Sequence, residues 1–244
     1  MWRVAIIAVL LAAGAGAATP PQSTMLPGVG ARDPRARVDI SQPPWTALVR
    51  VQIPGVSRCT GVLVAPARVL TAAHCVWGRR LGHFMPAGAI HVLAGYGGTA
   101  ARHALVASVR IADGYDPHRS EAPQGADAAL LTLATPLAGE TDALKLGPPD
   151  WPATGAVMIG GYNQDRIEVI EVDPACHLLG LARDAAGQPL LAHDCTATRG
   201  VSGAPVLTRG ADGHWMIVGL AVGAFEGHAG GVAVPAATLR RLLL

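Results

Sequence analysis

Three side chains carry the chemistry that this sequence could do. Ser202 sits in Gly200-Val201-Ser202-Gly203-Ala204-Pro205, where flanking glycines allow a turn tight enough to present a hydroxyl. Such a turn also leaves backbone N–H groups free to hold an oxyanion. His74 lies in Thr71-Ala72-Ala73-His74-Cys75, and a staple through the adjacent cysteine would hold an imidazole steady enough to serve as general base. Asp127 stands just before the apolar run Ala128–Leu133. A carboxylate at the mouth of a buried strand needs hydrogen-bond donors, and an imidazole N–H from His74 would be one. Asp113 and Asp116 lack that apolar follow-on and read as loop acids. Together the three suit acyl transfer through an activated alcohol.

The elements that must position them read as β structure in an exported chain. The 30 glycines and 19 prolines among 244 residues suit many short strands joined by tight turns. Met1-Trp2-Arg3, the apolar run Val4–Ala13 and Ala15-Gly16-Ala17 form the pattern of a secretory signal peptide over 1–17. The protein is therefore expected to be secreted or periplasmic, without stable membrane insertion once the signal is cut. Residues 18–44 are rich in Pro, Gly and Arg and lack periodicity. They read as a linker or pro-segment with processing points at Arg32, Arg35 or Arg37, or equally as an unprocessed arm lying over the domain.

Charged residues make up 15% of the chain and the net charge is +2, with no basic block, so nucleic acid is not an expected partner. Nine histidines are scattered without metal-binding spacing, and neither a metal nor another cofactor is expected. Four cysteines in an exported chain point to disulfides. A hairpin can close the segment between Cys59 and Cys75, which would stabilise the fold by roughly 3 kcal/mol.

Strands are expected at 46–53, 59–64, 90–93, 104–111, 157–162 and 167–172. A hairpin follows from Cys176 to Cys195, turning at 185–188 and cross-linked by its two cysteines. Pro235 opens a C-terminal helix with Leu239, Leu242 and Leu243 on one side.

These motifs resemble those of the chymotrypsin-like (trypsin-fold) serine peptidases. The stretch from Thr71 to Cys75 is similar to the family's histidine motif, and Cys59-Thr60-Gly61-Val62-Leu63-Val64 to the strand bearing its disulfide partner. The segment from Asp127 to Leu131 is similar to its aspartate motif. The order His74, Asp127, Ser202 is that of this clan, not of subtilisins or α/β-hydrolases. The position of Cys195 is closer to the bacterial, glutamyl-endopeptidase-like branch. The resemblance covers 45–244 and implies an all-β fold: two six-stranded antiparallel β-barrels (45–136 and 137–244) with the active site between them and a C-terminal helix. It implies a secreted serine endopeptidase with a polypeptide substrate, a Ser202-His74-Asp127 triad and an oxyanion hole at the amides of Gly200 and Ser202. A monomer is expected.

Departures from the family pattern limit what is expected of specificity. Val201 replaces the aspartate that pairs with a newly cut N-terminus, so that route of activation is unavailable. Thr196 stands where trypsin has its pocket-floor acid, and Ala221 where glutamate-specific enzymes place histidine. A pocket of Thr196, Ala197 and Ala221 would take a small or apolar side chain, with Arg199 at its mouth. Two other classes share these residues: a protease-like binding module with little turnover, and an esterase using the same three groups.

Overall fold

The computed structural model describes residues 26–99, 102–119, 124–139 and 142–244. The signal-peptide reading of 1–17 lies outside them. In chain order the strands are β1 (Ala36–Arg37), β2 (Leu48–Ile53), β3 (Ser57–Ala65), β4 (Arg68–Thr71), β5 (Trp77–Gly78), β6 (His83–Phe84), β7 (His91–Ala94), β8 (Arg102–Ile111) and β9 (Ala129–Leu133). They continue as β10 (Lys145–Leu146), β11 (Thr154–Gly161), β12 (Glu171–Arg183), β13 (Pro189–His193), β14 (Pro205–Arg209), β15 (Trp215–Ala224) and β16 (Gly231–Pro235), and end in helix α1 (Ala236–Leu243).

Two closed antiparallel barrels result. The first runs β2-β3-β4-β9-β8-β7. The second runs β12-β11-β14-β15-β16-β13 and closes because β12 also pairs with β13. Closure removes the exposed edges that an open sheet would present. Inward residues of the first barrel are the aliphatic ones of its alternating strands, among them Val49, Leu63, Val69 and Leu131, each fully buried. The long β12 serves three partners because β11 takes one edge while β1 and β13 take separate stretches of the other; it breaks register against β11 between Asp173 and Cys176, where Pro174 cannot donate to a ladder. The stripe Ala236, Leu239 and Leu242 of α1 is buried, and Arg240 donates to the carbonyls of Leu146 and Gly147.

Two expected strands begin late. Residues 45–47 form a 3₁₀ turn, with Trp45 N–H donating to Gln42 and Ala47 N–H to Pro44, so the strand opens at Leu48. Residues 167–170 stay outside the sheet: the Val169 N–H is spent on a turn bond to Arg166, and the Ile167 carbonyl accepts from the Arg50 side chain at 2.9 Å.

The segment 26–44 lies against the second barrel. Its β1 pairs with the start of β12. Arg35 is buried and holds Asp33 and Asp165, each at 2.8 Å. The Arg35 guanidinium keeps the Asp33 carboxyl below the usual carboxylate range. Burial pushes Asp165 up, but Arg35 outweighs it and holds that group low as well.

Candidate active site

Strand pairing brings two of the three chemical residues together. β4 and β9 are neighbours, with Thr71 opposite Ala129. The chain after β4 and the chain before β9 therefore leave the same end of the first barrel. His74 sits in the 3₁₀ turn 73–76 after β4, and the Cys59–Cys75 disulfide ties that turn to β3. Asp127 follows the turn 124–126 and is 5% exposed. The His74 backbone N–H donates to Asp127 Oδ1 at 2.9 Å, and its ring Nδ1–H donates to Oδ2 at 2.5 Å. Both carboxylate oxygens thus face His74, and the proton on Nδ1 leaves Nε2 free to accept. Asp113 and Asp116 are exposed, and Asp116 accepts from the His118 N–H within its own loop. Tyr115 lines the same cleft; burial pushes its phenol up and the Asp127 charge adds to the effect.

Ser202 belongs to the loop entering β14 of the second barrel. Gly200 (φ 92°) and Gly203 (φ 83°) adopt the left-handed backbone that the turn demands. The Arg199 carbonyl accepts from Gln164 N–H at 2.7 Å. In a trans peptide the N–H points opposite to its C=O, so this bond turns the Gly200 N–H the other way. Among the described residues, neither the Gly200 nor the Ser202 N–H has a protein acceptor. Val201 is buried in the second-barrel core.

Thr60 joins the two barrels. Its N–H donates to the Ser202 carbonyl at 3.0 Å, and its hydroxyl donates to the Gly200 carbonyl at 2.9 Å while accepting from Tyr162 N–H at 3.0 Å. Thr71, three residues before His74, donates its hydroxyl to the Thr60 carbonyl at 2.8 Å. One buried threonine therefore ties the serine loop to the strand that leads to the histidine. Thr60→Val should leave the Tyr162 N–H and the Gly200 carbonyl unpaired and cost about 2–3 kcal/mol, a fall of about 5–10 °C in melting temperature. It should also lower turnover about tenfold or more, with Thr60→Ser restoring both; calorimetry and kinetics on the three proteins check this.

His74, Asp127 and Ser202 line one cleft of about 890 Å³ between the barrels, with Gly200, Ala197, Arg199 and Ala221 on its walls. Among the described residues no hydrogen bond joins Ser202 Oγ to His74. Arg199 is exposed and stands 3.9 Å from Glu226. Thr196 does not line the cleft. It is buried, with its N–H bound to Asp173 Oδ2 at 2.8 Å.

His193 and Thr198 line the cleft, and the sequence reading passed over both. Strand alternation from the buried Leu191 could have marked His193. The arm also reaches here. Pro27 lines the cleft, Gly28 N–H donates to Phe225, and Ala197 N–H donates to Gly28. A side chain at Gly28 would come within 2.0 Å of the Ala197 carbonyl.

The second disulfide joins Cys176 to Cys195. The two groupings of ligand-type side chains, Cys59-His74-Cys75 and Cys176-Asp194-Cys195, each spend both thiols in these bonds.

Paired closed barrels enclosing a His-Asp pair and a glycine-flanked serine define a class of hydrolase built on the trypsin fold. The Trypsin family profile matches residues 34–242, and the chain belongs to that family. It is a serine endopeptidase. A solved structure of a Glu endopeptidase with MPD bound superposes with a TM-score of 0.69 at 20% identity, over 88% of this chain and 97% of that one. That likeness is one of fold.

Proposed function

We propose that this serine endopeptidase is exported by residues 1–17 and cleaves polypeptides through Ser202, His74 and Asp127. The carrying observation is the His74–Asp127 pair, bonded twice, in a cleft that Ser202 also lines. Ser202 Oγ attacks the substrate carbonyl while His74 Nε2 takes its proton. Asp127 fixes the tautomer and stabilises the imidazolium, and the amides of Gly200 and Ser202 receive the oxyanion. His74 then protonates the leaving amine, and water attacks the acyl-enzyme by the same route.

The lack of a direct Ser202–His74 hydrogen bond favours the second reading, a binding module with little turnover. Such bonds often tighten only once substrate is bound, so it weighs little. A serine-directed fluorophosphonate and a peptide-library digest separate the two. The enzyme reading expects labelling at Ser202 and cleavage products absent from a Ser202→Ala digest. Matching digests would sink it.

A further inference from the structure

The arm that precedes the first barrel is fastened to the second at two places. Gly28 bonds to Phe225 and Ala197, and β1 pairs with Glu171 and Val172 of β12. Between these anchors lies Arg35, its side chain 2% exposed. The guanidinium serves two carboxylates. Its Nε and one Nη donate to Asp33 within the arm, and both Nη groups donate to Asp165, at 3.1 Å to Oδ1 and 2.8 Å to Oδ2. A bidentate pair on a buried guanidinium fixes orientation as well as distance, which a pair of exposed flexible side chains does not.

Asp165 belongs to a turn that touches the serine loop. The Asn163 side-chain oxygen accepts from Thr198 N–H at 3.1 Å, and Gln164 N–H donates to the Arg199 carbonyl at 2.7 Å. A Cβ at Gly200 would collide with the Tyr162 carbonyl, so the two segments are in close contact. The Gln164 bond decides the state of one peptide. Gly200 has no side chain, so the peptide joining it to Arg199 could turn over at little steric cost. With the Arg199 carbonyl on Gln164, the Gly200 N–H faces away from that turn and stays free to donate. Turned over, the same peptide would point its carbonyl oxygen at a developing oxyanion and repel it. Residues 164–166 are exposed and lie outside every strand, so the aim of the Gln164 N–H depends on what holds the turn. Arg50 holds its far end, at the Ile167 carbonyl. Arg35 holds the residue next to Gln164.

We propose that Arg35 and Asp165 are positioning residues for the oxyanion hole: their ion pair fixes the turn whose Gln164 N–H holds the Arg199 carbonyl, and so keeps the Gly200 amide ready to donate. The proposal rests on the peptidase reading above. Neither residue touches substrate. The arm acts through a side chain in its middle, so no newly cut terminus is needed. The mature enzyme must then keep Arg35, and any processing falls on its N-terminal side.

The test uses the full-length secreted form, with kcat and KM on one peptide measured well below each variant's melting temperature. Arg35→Met should lower kcat about 100-fold and change KM less than about threefold, because an oxyanion donor acts on the transition state and not on the bound substrate. A peptide boronate, whose tetrahedral adduct sets an oxygen at the oxyanion position, should lose affinity by about the same factor. Asp165→Asn keeps one accepting oxygen for Arg35. It should lower kcat about tenfold, and it stands in if Arg35→Met does not fold. Arg37→Met, exposed on the same arm, should leave kcat unchanged. A loss confined to melting temperature, with kcat and boronate affinity at their wild-type values, overturns the proposal and leaves the ion pair a purely structural one. So does an active secreted enzyme whose N-terminus, read by sequencing, lies beyond Arg35. Labelling of wild-type Ser202 by the fluorophosphonate separates the two failures: a labelled wild type with an indifferent Arg35→Met loses only the positioning role, and an unlabelled one loses the peptidase reading too.

Discussion

Ser202→Ala should lower kcat/KM by about 10⁶, and adding His74→Ala to it should cost almost nothing more. The two residues act on one proton. His74 Nε2 is useful only when a hydroxyl hands it that proton, and the Ser202 hydroxyl is a weak nucleophile unless a base takes it. Removing either member therefore removes the whole pathway, and the second removal finds nothing left to damage. What persists, about 10³–10⁴ over the uncatalysed rate, comes from oxyanion donors and substrate placement. The amides of Gly200 and Ser202 survive both substitutions because they are backbone. The measurement is kcat/KM for the wild type, both single variants and the double variant on one peptide. Losses that add across the two sites would mean that they do not share a proton.

That geometry was legible where it was local. The glycines around Ser202 report a backbone conformation that only they adopt easily, and 200 and 203 do carry positive φ. Asp127 was readable because an acid followed by Ala128–Leu133 has little choice but to be bonded at a strand mouth. The hairpin through Cys176 and Cys195 was legible too, although its first arm extends further back, to Glu171. Segment 167–170 misled because its apolar residues mimic a strand, while its Val169 N–H is held in a turn and its Ile167 carbonyl by the Arg50 side chain.

Long-range partners left no such mark. Thr60 matters through a carbonyl 140 residues away, and nothing beside it in sequence announces Gly200. Arg35 reads as one of several basic residues in a Pro- and Gly-rich stretch, and nothing in that stretch announces Asp165, 130 residues on. His193 reads as one polar residue at the end of an apolar hairpin arm, and only the closure of β13 against β16 carries it to the cleft. Spacing within a motif reports local backbone, whereas the pairing of two barrels decides which of the remaining polar groups lack a partner.

Asp127→Asn should cut kcat/KM by about 10⁴ while the protein still folds. The carboxylate now accepts from two donors on one residue, the His74 backbone N–H at Oδ1 and the ring Nδ1–H at Oδ2. An asparagine has a single accepting oxygen. If that oxygen keeps the backbone N–H, its NH₂ group faces Nδ1, which must then become an acceptor. The ring proton moves to Nε2, and the nitrogen that should take the Ser202 proton is already occupied. If the oxygen turns to Nδ1 instead, the NH₂ group faces a backbone N–H and two donors collide. The first arrangement is the cheaper one, so the fold survives with the wrong tautomer. Fluorophosphonate labelling of Ser202 should slow in step with peptide cleavage, and the melting temperature should fall by only a few degrees. A variant that labels at the wild-type rate would show that Asp127 does not set the state of His74.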